Sequence, residues 1–146
     1  MVMKGGCLCG AIRYEIADDA TPSAVCHCRN CQKQSGASFS INLLVSTADF
    51  TMSGTPRRFI DTSDRGTEVH REFCGQCGSP LVSRSPARLD RIAVKAGTLD
   101  DPSGLKPSIQ VWCDSAQPWL SLPDLPSVAR QPTPADTSLA SPTGDR

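Results

Sequence analysis

The sequence has no surplus of charge of either sign and few aromatic side chains. Lys+Arg and Asp+Glu each number 15, so the formal net charge is zero, and aromatic residues make up only 5% of the chain. Proteins whose main partner is a nucleic acid usually carry a basic surplus that neutralises phosphates, so we expect no nucleic-acid partner. Hydrophobic residues make up 38%, a lean supply that is typical of domains stabilised by cross-links or metal ions.

Long apolar segments are also missing. No apolar run approaches the roughly 20 residues that a membrane-spanning helix requires, and the first seven residues contain no stretch of signal-peptide length. We therefore expect a cytoplasmic protein that does not interact with a membrane. Because thiols stay reduced in the cytoplasm, the eight cysteines indicate metal or redox chemistry rather than disulfides.

Short alternating segments take the place of long amphipathic helices. Turn-forming residues separate the segments, and the pattern predicts a mostly β fold with one short helix at 29–35. The predicted strands are 10–17, 38–46, 67–73, 91–96 and 108–113.

The composition changes near residue 127, which sets the predicted domain boundary. Residues 127–146 are rich in Pro, Ser, Thr and Ala and contain no aromatic residue. Such a segment buries too little apolar surface to offset the entropy lost on ordering. We therefore predict one domain at 1–126 and a disordered tail at 127–146.

Seven of the cysteines fall into three clusters, which predicts metal binding. Thiolates are the soft ligands that zinc favours, and a Cys-x-x-Cys-Gly spacing lets two sulfurs reach one metal across a tight turn. Seven ligands divide naturally into four for a closed structural site and three for a site with an open position. The clusters are Cys7 with Cys9, Cys26 with Cys28 and Cys31, and Cys74 with Cys77.

Several alternatives stay open at the level of the residues. The cysteines could instead form disulfides, hold an iron–sulfur cluster, or bind a single zinc with the remaining thiols idle. Cys113 is either a small core residue or a fourth ligand that closes the second site. Arg71 shares a strand face with apolar residues, so it requires an internal anionic partner or is aimed at a ligand.

The cysteine clusters and their flanking residues resemble those of a known family, the glutathione-dependent formaldehyde-activating (GFA) enzymes. The resemblance covers residues 4–126. It rests on Gly6-Cys7-Leu8-Cys9-Gly10-Ala11-Ile12-Arg13-Tyr14-Glu15, on Cys26-His27-Cys28-Arg29-Asn30-Cys31-Gln32-Lys33 with Gly36, on Arg71-x-Phe73-Cys74-x-x-Cys77-Gly78, and on Leu99-Asp100-Asp101-Pro102, Lys106-Pro107, Trp112 and Pro118-Trp119.

The resemblance implies a fold and two zinc ions per chain. The implied fold is of the Mss-like type, with coiled antiparallel sheets stapled by a four-cysteine zinc site. The implied ligands of the structural zinc are Cys7, Cys9, Cys74 and Cys77. The implied ligands of a second, catalytic zinc are Cys26, Cys28 and Cys31, and its open position accepts the thiol of glutathione.

The activity implied by the resemblance joins glutathione to formaldehyde and gives S-hydroxymethylglutathione, the reverse of a carbon–sulfur lyase reaction. Glutathione is anionic, so nearby cations should orient it, and the candidates are Arg29, Lys33 and Arg71. The alternative function is a non-catalytic zinc scaffold that binds a protein partner. An open three-cysteine site favours the enzyme, whereas closure of that site by Cys113 favours the scaffold.

Overall fold

Short strands dominate the chain in the computed structural model, which describes residues 2–18 and 21–132. The mostly β fold predicted from the sequence is confirmed. The strands are β1 Met3–Gly6, β2 Arg13–Ile16, β3 Ser23–Cys26, β4 Ser40–Ser46, β5 Phe50–Ser53, β6 Arg57–Thr62, β7 Glu68–Phe73, β8 Pro80–Ser85, β9 Arg88–Lys95 and β10 Ile109–Val111, and the helix is α1 Arg29–Ser35. No helix in these ranges is long and apolar enough to cross a membrane.

The chain folds into two compact units, each built from two stretches of sequence. The first unit comprises Met1–Thr21 and Leu43–Gly104, and the second comprises Pro22–Asn42 and Leu105–Arg146. The range predicted as one domain, 1–126, therefore covers the first unit and part of the second. Strand β4 begins in the second unit and ends in the first.

Two antiparallel arrangements form the first unit. One is the three-stranded sheet β1-β2-β5, and the other is the meander β6-β7-β8-β9. Tyr14 on β2 is buried, and its hydroxyl hydrogen bonds to Thr98 Oγ1 at 2.8 Å. Gly5 pairs with Tyr14 across the sheet, and a Cβ at Gly5 would lie 2.4 Å from the tyrosine ring. Glycine at this position is therefore what lets the ring pack against the backbone of β1.

A buried carboxylate ties three strands of the meander together. The Glu72 side chain on β7 accepts hydrogen bonds from Arg58 on β6 and from Arg84 on β8, both at 2.8 Å. Burial by itself would raise the pKa of Glu72, but the hydrogen bonds from Arg84 and Arg58 lower it below its ordinary value. The charge of Glu72 is thus compensated inside the sheet.

The second unit is organised around a parallel pair of strands. Strand β3 pairs with β10 in parallel, with Ala24 opposite Ile109 and Cys26 opposite Val111. These four residues and Cys31 form its buried apolar cluster, against which Cys28, Trp112 and Val128 pack. Cys26 and Cys31, two of the three predicted ligands of the second zinc, are therefore part of a hydrophobic core.

Residues just beyond the predicted boundary at 126 pair with the backbone that follows β10. Trp112 has a left-handed conformation with φ 56° and ends the strand, which costs a bulky residue about 1–2 kcal/mol. Its N–H donates to Arg130 O at 3.1 Å, and Cys113 N–H donates to Val128 O at 3.1 Å. Hydrogen-bonded backbone thus extends to Arg130, while residues 133–146 of the predicted tail lie outside the described residues.

We therefore expect two truncations to behave differently. A chain ending at Pro126 loses the backbone partners of the Gln110 carbonyl, which accepts from Val128 N–H, and of the Trp112 and Cys113 N–H groups. Each bond is worth about 0.5–1.5 kcal/mol. Its melting temperature should fall by roughly 5–10 °C. A chain ending at Pro132 keeps these bonds and should melt within about 2 °C of the full-length protein. Thermal unfolding followed by circular dichroism measures both, and equal melting of all three chains would contradict the structural role of residues 127–130.

Candidate metal centres

Four cysteines from two distant loops come together in the first unit. Cys7 and Cys9 lie between β1 and β2, whereas Cys74 and Cys77 lie between β7 and β8. The four sulfurs lie within 4.8 Å of one another, with 3.6 Å between those of Cys7 and Cys9 and 3.8 Å between those of Cys9 and Cys74. A tetrahedral zinc site with Zn–S bonds of about 2.3 Å has sulfurs about 3.8 Å apart. The donor set therefore fits a four-thiolate zinc ion.

The sulfur distances also bear on the disulfide alternative. A disulfide has an S–S bond of about 2.05 Å, and all eight cysteines of the structure are free. The clusters are therefore groups of thiols, which suits metal binding.

The two loops of this cluster have the same backbone hydrogen bond and the same glycine conformation. Cys7 N–H donates to Ile12 O at 3.0 Å, and Cys74 N–H donates to Ser79 O at 3.0 Å. Within each loop a glycine has a left-handed conformation, with φ 80° at Gly10 and 79° at Gly78. Because glycine adopts this conformation without steric cost, each turn closes tightly and presents its pair of sulfurs on one side.

Hydrogen bonds to sulfur favour the thiolate form of two cysteines in this cluster, Cys7 and Cys77. Ile12 N–H donates to Cys7 Sγ at 3.2 Å, and Cys77 Sγ lies 3.3 Å from Ser79 Oγ. Hydrogen bonds from the side chain and backbone of Ser79 lower the pKa of Cys77 to about 5. Burial opposes ionisation of Cys7, but the hydrogen bonds from Ile12 and with Cys9 and Cys74 lower its pKa. The backbone hydrogen bond from Ala11 favours the thiolate of Cys9, but burial and the neighbouring sulfurs raise the pKa of Cys9 to about 11. Because thiolate is the form that binds metal, a bound cation would be what holds all four sulfurs ionised.

Three cysteines of the second unit gather around the start of α1. Cys26 ends β3, Cys28 is the N-cap of α1, and Cys31 lies in its first turn. The three sulfurs lie within 4.8 Å of one another, and Cys28 Sγ accepts a hydrogen bond from Cys31 N–H at 3.2 Å. Hydrogen bonding to Cys28 and Cys31, together with burial, raises the pKa of Cys26 far above its ordinary value. Three thiolates this close require a cation to neutralise them, so this donor set fits a metal ion as well.

Cys113 does not belong to this three-sulfur cluster. Its thiol donates to the backbone carbonyl of Gln110 at 3.6 Å. Among the described residues, no fourth Cys, His, Asp or Glu ligand atom joins the group formed by the three sulfurs. The closure by Cys113 on which the scaffold alternative depended is therefore not observed.

His27 lies between Cys26 and Cys28 in sequence, but its ring is hydrogen bonded to a glutamine and is not part of the three-sulfur cluster. Its Nε2 lies 3.0 Å from Gln110 Oε1, and the amide nitrogen of Gln110 donates to Leu122 O and to Ser127 Oγ, both at 2.9 Å. Because these acceptors fix the orientation of the amide, Nε2 of His27 is the donor. The buried Nδ1 has no hydrogen-bond partner within the described part of the chain. His27 thus anchors the peptide between Cys26 and Cys28 through Gln110.

Gln32 connects α1 to the loop that contains Cys113. Its amide nitrogen donates to His27 O at 2.7 Å and to Ser115 O at 3.0 Å. Its amide oxygen accepts from Arg29 at 2.5 Å and from Gln117 at 2.7 Å. All four hydrogen-bonding positions of this buried side chain are filled, which fixes the helix that carries Cys31.

The three predicted glutathione-binding cations have different surroundings. Arg29 and Lys33 are exposed on α1, the helix that carries Cys31. Arg71 belongs to β7 in the first unit, where its guanidinium donates to Asp61 at 2.8 Å and its side chain is only 9% exposed. The internal anionic partner that a buried arginine requires is thus present.

The supporting residues of both clusters were not identified from the sequence. Ser79, Gln32 and Gln110 bind sulfur-bearing loops through contacts that join distant parts of the chain. Only Gln32 carries a local signal, since it directly follows the last cysteine of its cluster and belongs to the family motif.

The fold and the two clusters define a class, that of small mostly β proteins with one four-thiol and one three-thiol group. The family model described as "Glutathione-dependent formaldehyde-activating enzyme" matches residues 2–115, and the chain belongs to this family. No curated protein sequence matches the chain. A crystal structure of a Rhodobacter sphaeroides protein is similar in fold, with a TM-score of 0.52 and 21% sequence identity over 72% of this chain and 92% of that chain.

Proposed function

We propose that this protein is a zinc-dependent enzyme that joins glutathione, or a related thiol, to formaldehyde or another small aldehyde. In this reaction the thiol loses its proton, its sulfur bonds to the carbonyl carbon as the C=O double bond opens, and the oxygen gains a proton, which gives an S-hydroxymethyl adduct. The reverse reaction breaks the carbon–sulfur bond, so the enzyme is a carbon–sulfur lyase in that direction. The eight free thiols suit a reducing compartment such as the cytoplasm.

The observation that carries this proposal is the three-sulfur cluster without a fourth protein ligand. A zinc ion held there would lower the pKa of a thiol that enters its open position and keep that thiol nucleophilic. Cys26, Cys28 and Cys31 would hold the metal, and the packing of Cys26 and Cys31 in the apolar cluster limits the water around it. The other cluster, of Cys7, Cys9, Cys74 and Cys77, would hold a structural zinc, giving two ions per chain.

The residues around α1 would bind and orient the thiol substrate. Glutathione carries carboxylates, and Arg29 and Lys33 supply positive charge on the helix that begins at the cluster. The bond from Arg29 to Gln32 restricts the guanidinium and lowers the entropy that substrate binding has to remove. In this proposal Arg71 stabilises the fold and does not bind the thiol substrate, because its guanidinium neutralises Asp61.

Cobalt(II) in place of zinc gives this proposal a test that is independent of turnover. Cobalt has visible absorption that depends on its ligands, whereas zinc has none. Adding glutathione to the cobalt-loaded protein should change that absorption, because the thiol enters the coordination sphere of the second metal. S-Methylglutathione, which has no ionisable thiol, should leave the spectrum unchanged.

Two further results decide the outcome of the cobalt experiment. Cys28→Ser should remove the response to glutathione while the signal of the four-thiolate site persists. A spectrum that glutathione does not alter, in protein with both sites loaded, would contradict an open position at the three-cysteine cluster and with it the proposed reaction.

A further inference from the structure

The outer edge of β6 is regular and carries two exposed apolar residues between charged ones. β6 is the last strand in the order of its sheet, and no strand of the described chain pairs with its outer side. Its six residues pair with β7 without a bulge, and Phe59 and Ile60 are 60% and 49% exposed. Charges such as those of Arg57, Arg58 and Asp61 usually protect an edge against pairing, so only a strand with complementary charges is suited to this edge.

The turn after β6 shows which of its backbone groups point outward. Ser63 N–H donates to Thr67 O at 2.8 Å, across the turn that leads to β7. Because hydrogen bonding alternates along a strand, residues 57, 59 and 61 bond towards β7, and residues 58, 60 and 62 direct their groups outward. Thr62 N–H is already bonded to Asp61 Oδ1 at 2.8 Å. The N–H and C=O groups of Arg58 and Ile60 are therefore the ones directed to a partner strand.

We propose that two copies of this chain associate through the outer edges of β6, as antiparallel strands related by a two-fold axis at Phe59. This arrangement places the two Phe59 rings opposite each other. It pairs Arg58 of each copy with Ile60 of the other, and each such pair exchanges two main-chain hydrogen bonds. It also places Arg57 of each copy opposite Asp61 of the other. The carboxylate of Asp61 already accepts from Arg71 of its own chain, and Arg57 of the other copy adds a second positive charge at each end.

Other positions of the two-fold axis are less favourable. An axis at Arg58 would place two arginines opposite each other, and an axis at Asp61 would oppose two carboxylates, which is destabilising. An axis at Ile60 would pair Arg58 with Thr62, whose N–H is already bonded within its own chain. Charge complementarity and the available hydrogen-bonding groups thus favour a two-fold axis at Phe59, and they favour a second copy of this chain as the partner.

The expected dimer is weak, since a single short strand supplies the contact. Sedimentation velocity of the zinc-loaded full-length protein should show the dimer fraction rising with concentration. Phe59→Asp places two carboxylates at the axis and should weaken association by about tenfold or more. Leu89→Asp is the matched control, because Leu89 is 78% exposed elsewhere on the same unit, and it should associate like the wild type. Both variants should keep the zinc content of the wild type, which would show that they fold and that any loss of association comes from lost strand pairing.

Amide hydrogen exchange followed by NMR gives a second test on the unmodified protein. The amides of Arg58 and Ile60 should exchange more slowly as concentration rises, whereas those of Phe59 and Asp61, which bond to β7, should not change. A protein that stays monomeric at every concentration overturns the proposal. So does equal weakening by Phe59→Asp and Leu89→Asp, or exchange at residues 58 and 60 that is independent of concentration.

Discussion

Cys77→Ser is expected to abolish most of the soluble, folded protein. Cys77 supplies one of four sulfurs that connect the loop after β1 to the loop after β7, and Cys9 and Cys74 are 65 residues apart in sequence. A metal that closes so long a loop binds as the chain folds, so its affinity contributes directly to folding stability. Losing one of the four ligands should cost several kcal/mol, on the order of the whole stability of a typical domain.

The measurement for Cys77→Ser is thermal unfolding together with elemental analysis for zinc. Cys113→Ser is the matched control, because Cys113 lies outside both clusters and bonds only weakly to a backbone carbonyl. That control should retain both zinc ions and melt within about 3 °C of the wild type. If Cys77→Ser kept its zinc content and its melting temperature, the four-cysteine cluster would have no structural role.

The elements that the sequence predicted well have local causes. The helix expected at 29–35 is found at Arg29–Ser35, because Cys28 caps its first turn and Gly36 ends it with a left-handed conformation. The strands expected at 67–73 and 38–46 are found as β7 and β4, with shifts of one or two residues at their starts. Alternation and turn residues mark such segments without reference to the rest of the chain.

The elements that the sequence did not predict depend on tertiary contacts. Strand β3 is buried along its whole length, so it lacks the alternation that identifies a half-buried strand. Its parallel pairing with β10 joins segments 85 residues apart, as Ala24 and Ile109 show. The strand expected at 108–113 ends at Val111 because Trp112 turns the chain, a conformation for which a tryptophan gives no sequence signal.

In the candidate sites, too, some features follow from local sequence and others depend on tertiary contacts. The grouping of seven cysteines into four and three follows from their spacing, and the structure brings the same two groups together. The polar residues that support them do not follow from spacing. Gln110 bonds to His27 across 83 residues, and Leu8 N–H donates to Ser79 Oγ across 71 residues. Such partners are found only once the fold has placed distant loops side by side.

The substitution Cys28→Ser should leave the fold nearly intact while it removes the proposed reaction. The three sulfurs lie within residues 26–31, so a metal there closes only a short loop and little chain entropy depends on it. Cys28 is also the N-cap of α1, with its sulfur accepting from Cys31 N–H. Serine is among the best N-cap residues, so the variant keeps the cap and loses only the soft metal ligand.

We therefore expect Cys28→Ser to melt within about 5 °C of the wild type and to lose one zinc ion. Its rate of adduct formation from glutathione and formaldehyde should fall by at least about 100-fold, since even residues that only support a metal ligand can contribute 10–100-fold. Enzyme-dependent exchange between formaldehyde and its glutathione adduct, followed by NMR, measures this rate above the uncatalysed background, with Cys113→Ser as the active control. Full activity in Cys28→Ser would place the chemistry elsewhere in the chain. If Cys28→Ser instead unfolded as completely as Cys77→Ser, both metals would be structural. A metal bound only to a short local loop would then be shown to stabilise the whole fold.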